Sequence, residues 1–226
     1  MPEQPTGDSP AAACMGGAAS ECSQCSVAGR LNCRFRRRDL FRFVGTFLLF
    51  ALPAAAGMAL GGYGWFIPGW LVLVPVLLGV WENRVLCAHC PYYARDGRVL
   101  LCFANYGLGK LWKYHPEPIS TPGRVQFLVI VFLLMAYPFP FLVLGRQYIL
   151  LALTTCALVL WALTLWRYSC TRCVNFSCVF NRVPKDVVDE FLRRNPVMRK
   201  AWEESGWKVE DGEAAQRAPA GADGSR

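Results

Sequence analysis

Three long stretches of this chain carry no formal charge. They are Phe43–Trp81 with 39 residues, Val125–Gly145 with 21 and Gln147–Trp166 with 20. An α-helix needs about 20 apolar residues to cross a hydrocarbon core ~30 Å thick. The second and third stretches therefore predict one span each, divided only by a turn at Gly145 and Arg146. The first is long enough for two, and Gly57, Gly61, Gly62, Gly64, Pro68 and Gly69 mark a turn region in its middle. The pattern predicts an all-α integral membrane protein with four transmembrane helices, at roughly 42–60, 65–83, 125–145 and 148–167. Pro53, Pro75, Pro138 and Pro140 are expected to kink them.

Outside the spans the pattern changes. Val187, Val188, Phe191 and Leu192 make one apolar face of a helix opening at Pro184, and Met198 and Trp202 mark a second short helix after Asn195-Pro196. The expected organisation is a flexible Ala/Gly-rich, Cys-bearing tail at 1–38 and a membrane domain at 39–183, with a long loop at 84–124 and a Cys170–Cys178 motif. An amphipathic helical segment at 184–207 and a disordered tail at 208–226 complete it.

Charge orients this scheme. Of 24 Lys and Arg, six precede the first span, six lie in 84–124 and eleven follow from Arg167, whereas the turn near residue 62 has none and the turn near 146 has one. The positive-inside rule puts both termini and the long loop in the cytoplasm of a cell with this chain in its inner (cytoplasmic) membrane. The basic surplus flanks spans, so the expected partner is the lipid bilayer and no nucleic acid is expected. Arg36-Arg-Arg-Asp39-Leu-Phe-Arg42, ahead of an apolar stretch and Pro53-Ala-Ala-Ala56, resembles a twin-arginine export signal. Another span follows almost at once, which favours an uncleaved first helix.

Ten of the eleven cysteines then face the reducing cytosol, where metal ligation is the leading use of clustered thiols. Cys87-Ala-His89-Cys90 is followed by Cys102, and Cys170-Thr-Arg-Cys173 by Cys178. Each Cys-x-x-Cys turn can aim two thiolates at one metal, and each begins just past an apolar run. The candidate ligands are Cys87, Cys90, Cys102, Cys170, Cys173 and Cys178, with His89, His115, Cys14, Cys22, Cys25 and Cys33 behind them. One zinc ion would use Cys87, Cys90, Cys170 and Cys173. A two-zinc cluster with shared thiolates would use all six, and a [4Fe–4S] cluster any four. Cys156 lies mid-span and reads as a packing residue.

The spans contain no histidine and no mid-span Asp, Glu, Lys or Arg. That argues against a bis-histidine haem and against an autonomous ion pump. No paired acid and base flank the cysteines, so a metal hydrolase is a distant reading. Two function classes stay open. One is a zinc-stabilised structural or partner-docking membrane protein with a cysteine-rich cytoplasmic cap. The other is an iron–sulfur membrane subunit of an electron-transfer complex, with a redox or assembly partner on the cytoplasmic face.

Overall fold

The computed structural model describes residues 25–95 and 97–210. The expectations for Cys14, Cys22 and most of the tail after Lys208 lie outside the described residues. Four helices are long and apolar enough to cross a membrane: α1 (Arg37–Leu60), α2 (Phe66–His89), α3 (Thr121–Leu144) and α4 (Tyr148–Ser169). Two short helices follow, α5 (Lys185–Arg193) and α6 (Pro196–Glu204). Among the described residues no strand forms; Val99–Gly109 and Ala28–Leu31 meet only as isolated bridges.

The helix ends differ from the apolar runs for local reasons. α1 starts at Arg37, ahead of the charge-free stretch, because arginine is a good helix former and Asp39 suits the positive end of the helix. α3 starts at Thr121 because the Ser120 hydroxyl accepts the Gly123 N–H and Pro122 fits the first turn. α2 outruns its expected end and carries Cys87–His89 as a tight 3₁₀ turn. Both α2 and α4 widen into π-helix before their cysteine motifs, over Pro75–Glu82 and Leu165–Ser169. Pro75 explains the first widening, since it has no N–H to give the α-helical ladder. The α-helical hydrogen bonding of α3 is interrupted at Tyr137 and Pro138.

α1 packs along most of α4. Their common end is closed by glycines that let backbones touch. A Cβ on Gly145 would lie 2.7 Å from the Gly61 Cα, and one on Gly57 only 2.0 Å from a Leu142 methyl. α2 and α3 are joined by hydrogen bonds from Trp70 Nε1 to the Leu134 carbonyl (3.1 Å) and from the Tyr137 hydroxyl to the Phe66 carbonyl (2.9 Å). Phe50, Ala54, Trp70, Phe127, Ile130 and Leu134 fill the space between the helices. Leu52, Leu60, Phe132 and Ile149 point outward, as lipid contact requires. α4 is the least enclosed of the four, with 6% of its apolar window buried.

A second core lies beyond the helix ends that carry the cysteines. Val27, Leu31, Cys90, Tyr92, Val174, Phe191, Leu192, Met198 and Trp202 are buried together in it. This end module draws on four separate segments, and one of them is the N-terminal stretch whose composition predicts a flexible tail. Residues 25–36 are docked there. Val27 and Leu31 are the apolar anchors, and Ser26 and Arg30 bond to Glu190 and Asp186 on α5. Arginines at the same end stack on aromatic rings, Arg42 over Tyr168 at 5.4 Å, Arg84 over Trp112 at 5.1 Å and Arg182 over Trp166 at 4.6 Å.

Candidate functional site

The two cysteine segments meet in the end module. The Asn175 side chain, inside the second motif, donates to the Leu86 carbonyl just ahead of Cys87 (3.2 Å). Asn181 holds the second loop closed by donating to the carbonyls of Cys173 (2.8 Å) and Asn175 (2.9 Å). In the first segment Asn105 reaches back with its side-chain amide to Cys87 Sγ and to buried Glu82, both at 3.1 Å. Its backbone N–H points at Cys102 Sγ (3.2 Å). None of the described cysteines forms a disulfide.

Burial pushes the Cys90 thiol well up, and the neighbouring Cys173, Cys102 and Cys178 raise it further. Cys173 is likewise raised by burial and then by Cys178, Cys102 and Cys170. Cys178 is pushed up to about 11, by burial first and with Cys170 nearby. Cys87 has Cys102 and Cys90 within electrostatic reach. A thiol surrounded in this way has every reason to stay protonated unless a cation offsets the charge.

One local feature works in the opposite direction. Nearby backbone N–H groups ease the upward push at four of these thiols: Tyr92 at Cys90, Asn105 and Ala104 at Cys102, Asn175 at Cys173, and Phe180 and Asn181 at Cys178. The donors lie two or three positions on. Each such N–H favours the charged sulfur, against the larger effect of burial. Two more groups suit the same charge: the hydroxyls of Ser177 and Tyr114 are buried with no hydrogen-bond partner. Among the described residues no three His, Cys, Asp or Glu side chains converge at metal-holding distance.

The six leading candidates are brought into one neighbourhood, with a difference in emphasis. Asn105 directs N–H groups at Cys87 and Cys102, while Cys90, Cys102, Cys173 and Cys178 lie within electrostatic reach of one another. Cys170 instead has Arg182 beside it, which partly offsets the upward push of burial. The rings of His89 and His115 lie 5.5 Å apart, and both are engaged by Glu117, through its carbonyl (2.8 Å) and its carboxylate (3.0 Å). Cys25 accepts from Arg194 at 3.4 Å. Sequence reasoning passed over Asn105, Asn175 and Asn181, whose only signal was their position two or three residues from a cysteine.

The Glu190 carboxylate joins the N-terminal segment to this module. The Ser26 hydroxyl, Arg193 and Arg194 hold it down at about 2. A carboxyl lowered on folding stabilises above its ordinary range of ~4.3 and loses that contribution as pH falls through its folded value. Hydrogen exchange at the Asn32 amide should therefore accelerate as pH falls from ~4.3 towards 2, beyond the intrinsic pH dependence of exchange. The Glu190→Gln variant should show no such step. A step of equal size in both would refute this role.

No family model matches the chain, and neither a curated protein nor a solved structure does.

Proposed function

We propose that the chain is a multi-pass protein of the inner (cytoplasmic) membrane whose end module is a cytoplasmic cap binding a metal through both cysteine segments. On this reading it serves as a zinc-stabilised structural or partner-docking protein. The observation that carries it is the meeting of the two cysteine segments, where Asn175 of the second motif donates to the Leu86 carbonyl beside Cys87, and Asn105 directs N–H groups at the sulfurs of Cys102 and Cys87. Such outer contacts orient thiolates and offset their charge, which free buried thiols do not need. The orientation rests on Lys and Arg gathered at the cysteine-bearing ends of the spans. A reducing compartment keeps these thiols available to metal.

A [4Fe–4S] centre in an electron-transfer subunit is the second reading. It is favoured by the same sulfur-directed N–H groups, which also tune cluster potentials, and by the aromatic cover of Tyr92, Tyr114 and Phe176 around the thiols. Anaerobic purification with metal analysis and absorbance separates the two. Zinc protein is expected to be colourless and redox-silent, whereas a cluster would be brown and bleach on reduction. Protein free of both zinc and iron, refractory to loading with either, would sink both readings.

A further inference from the structure

The arginines of the cysteine end fall into two sets. Those that hold the end module together are matched with carboxylates: Arg30 with Asp186, Arg193 and Arg194 with Glu190, and Arg199 with Glu203. Those where α1 begins and α4 ends are not. Arg36, Arg37, Arg38, Arg42, Arg167 and Arg182 make no ion pair among the described residues. The local sequence has almost no acid to offer them. Asp39 is the one carboxylate side chain in 31–81, and 146–185 contains none.

These arginines share one corner of the bundle. α1 packs along α4, and Arg42 of α1 lies over the Tyr168 ring of α4 at 5.4 Å. Arg38 is one turn before Arg42 on the same face of α1. On the α4 side, Arg182 returns over the ring of Trp166 at 4.6 Å, and Arg167 is the next residue along the helix. The Asn32 N–H donates to the Arg172 carbonyl (2.7 Å), which draws the chain ahead of α1 onto the chain leaving α4. α2 and α3 carry one arginine each, Arg84 and Arg124. Orientation in the membrane asks only for basic residues on the cytoplasmic loops, not for their collection at one helix pair.

The same corner is aromatic. Phe41, between Arg38 and Arg42 in the chain, is 72% exposed, and Trp166 and Tyr168 are exposed too. Exposed aromatic rings beside a transmembrane helix belong at the level of the lipid headgroups. Arginines gathered there without carboxylates repel one another, so an anion at that depth stabilises them. A guanidinium fork suits the paired oxygens of a phosphate, and the cytoplasmic leaflet supplies phosphate in anionic lipid.

We propose that the α1–α4 corner is a binding surface for anionic phospholipid headgroups, whose phosphates bridge the arginines of α1 to those of α4. The proposal rests on the membrane-spanning, cytoplasmic-cap reading and is independent of any metal.

The test uses full-length protein in detergent with mixed phosphatidylglycerol and phosphatidylcholine, and counts bound lipid by native mass spectrometry. Wild-type protein is expected to retain phosphatidylglycerol in preference. Combining Arg38→Gln, Arg42→Gln and Arg167→Gln should cut that preference at least about tenfold, since each basic residue at an anionic surface contributes about fivefold. Arg182 is left in place because it lies beside Cys170. A control with Arg98→Gln, Lys113→Gln and Lys200→Gln removes the same charge elsewhere and should match wild type. Wild-type protein gives a second measurement that needs no variant to fold: its preference should fall as ionic strength rises, because salt screens exposed charges. Equal retention of the two lipids by wild type, equal losses in both variants, or a preference indifferent to salt would each overturn the proposal. Displacement of the lipid by inorganic phosphate would overturn it too, by making the corner a soluble-anion site. Protein that stayed dispersed without detergent would defeat the membrane reading along with it.

Discussion

If the end module holds zinc as proposed, replacing Cys90 with serine is expected to strip metal from the purified protein and unfold the module while leaving the four long helices in place. Structural zinc contributes an apparent ~10–16 kcal/mol in small peptides. The net stability of a whole domain is only about 5–15 kcal/mol. A module assembled from short segments, with α5 and α6 of nine residues each, cannot absorb such a loss. Cys173→Ser should do the same, because Cys173 lies within electrostatic reach of Cys90 from the other segment. The double variant should then be little worse than either single one, since each already disables the shared site. Metal analysis and proteolysis of the end module check this. Independent, additive losses from the two variants would mean that the segments hold separate sites.

Phe191→Ala is the second large effect. Phe191 is fully buried on α5, and its ring meets Phe176 edge-on at 5.1 Å. Phe176 lies between Cys173 and Cys178 and also meets Trp202 of α6 at 6.2 Å. Truncating a buried phenylalanine costs about 3–5 kcal/mol. Here the loss falls on the contact that backs the second cysteine loop, so α5 should undock, and on the proposed zinc reading metal affinity should drop with it. Phe191→Leu, which keeps most of the volume, should retain both. Thermal unfolding followed by tryptophan fluorescence, with Trp202 and Trp207 as reporters in the module, measures the shift. An Ala variant with the wild-type midpoint and affinity would remove Phe191 from the support of the site.

The four long helices were legible because lipid imposes a crude code. Charge-free runs of sufficient length have few alternatives, and Gly61, Gly62 and Gly145 marked the turns. The short helices α5 and α6 were legible from Val187, Val188, Phe191, Met198 and Trp202, an ordinary amphipathic signal. The six cysteines of the two motifs could be grouped from spacing, but not ranked. Ranking depends on where backbone N–H groups point, and an N–H leaves no mark in side-chain identity.

The docking of residues 25–36 was hidden for a different reason. Only Val27 and Leu31 interrupt a polar, small-residue stretch, and two apolar residues predict nothing until the surface that receives them is known. Asn32 carries no signal at all, because it acts through its backbone. The π-helical ends of α2 and α4 were equally silent. Pro75 gave a kink but not its form, and Leu165–Ser169 contains no residue that breaks a helix.

α4 has little to hold it in place within the bilayer. It is the least enclosed of the four long helices, and α1 is its principal neighbour. Helices in lipid gain no hydrophobic drive from meeting each other, so a span held on one side can drift laterally. Its far end, however, continues into Cys170–Cys178, which is bonded through Asn175 to the segment that leaves α2. A crosslink outside the membrane turns re-docking of a wandering span into an intramolecular event at high effective concentration. The end module is then a tether for the bundle as well as a fold of its own, and loosening it should free the fourth helix from the assembly before the other three.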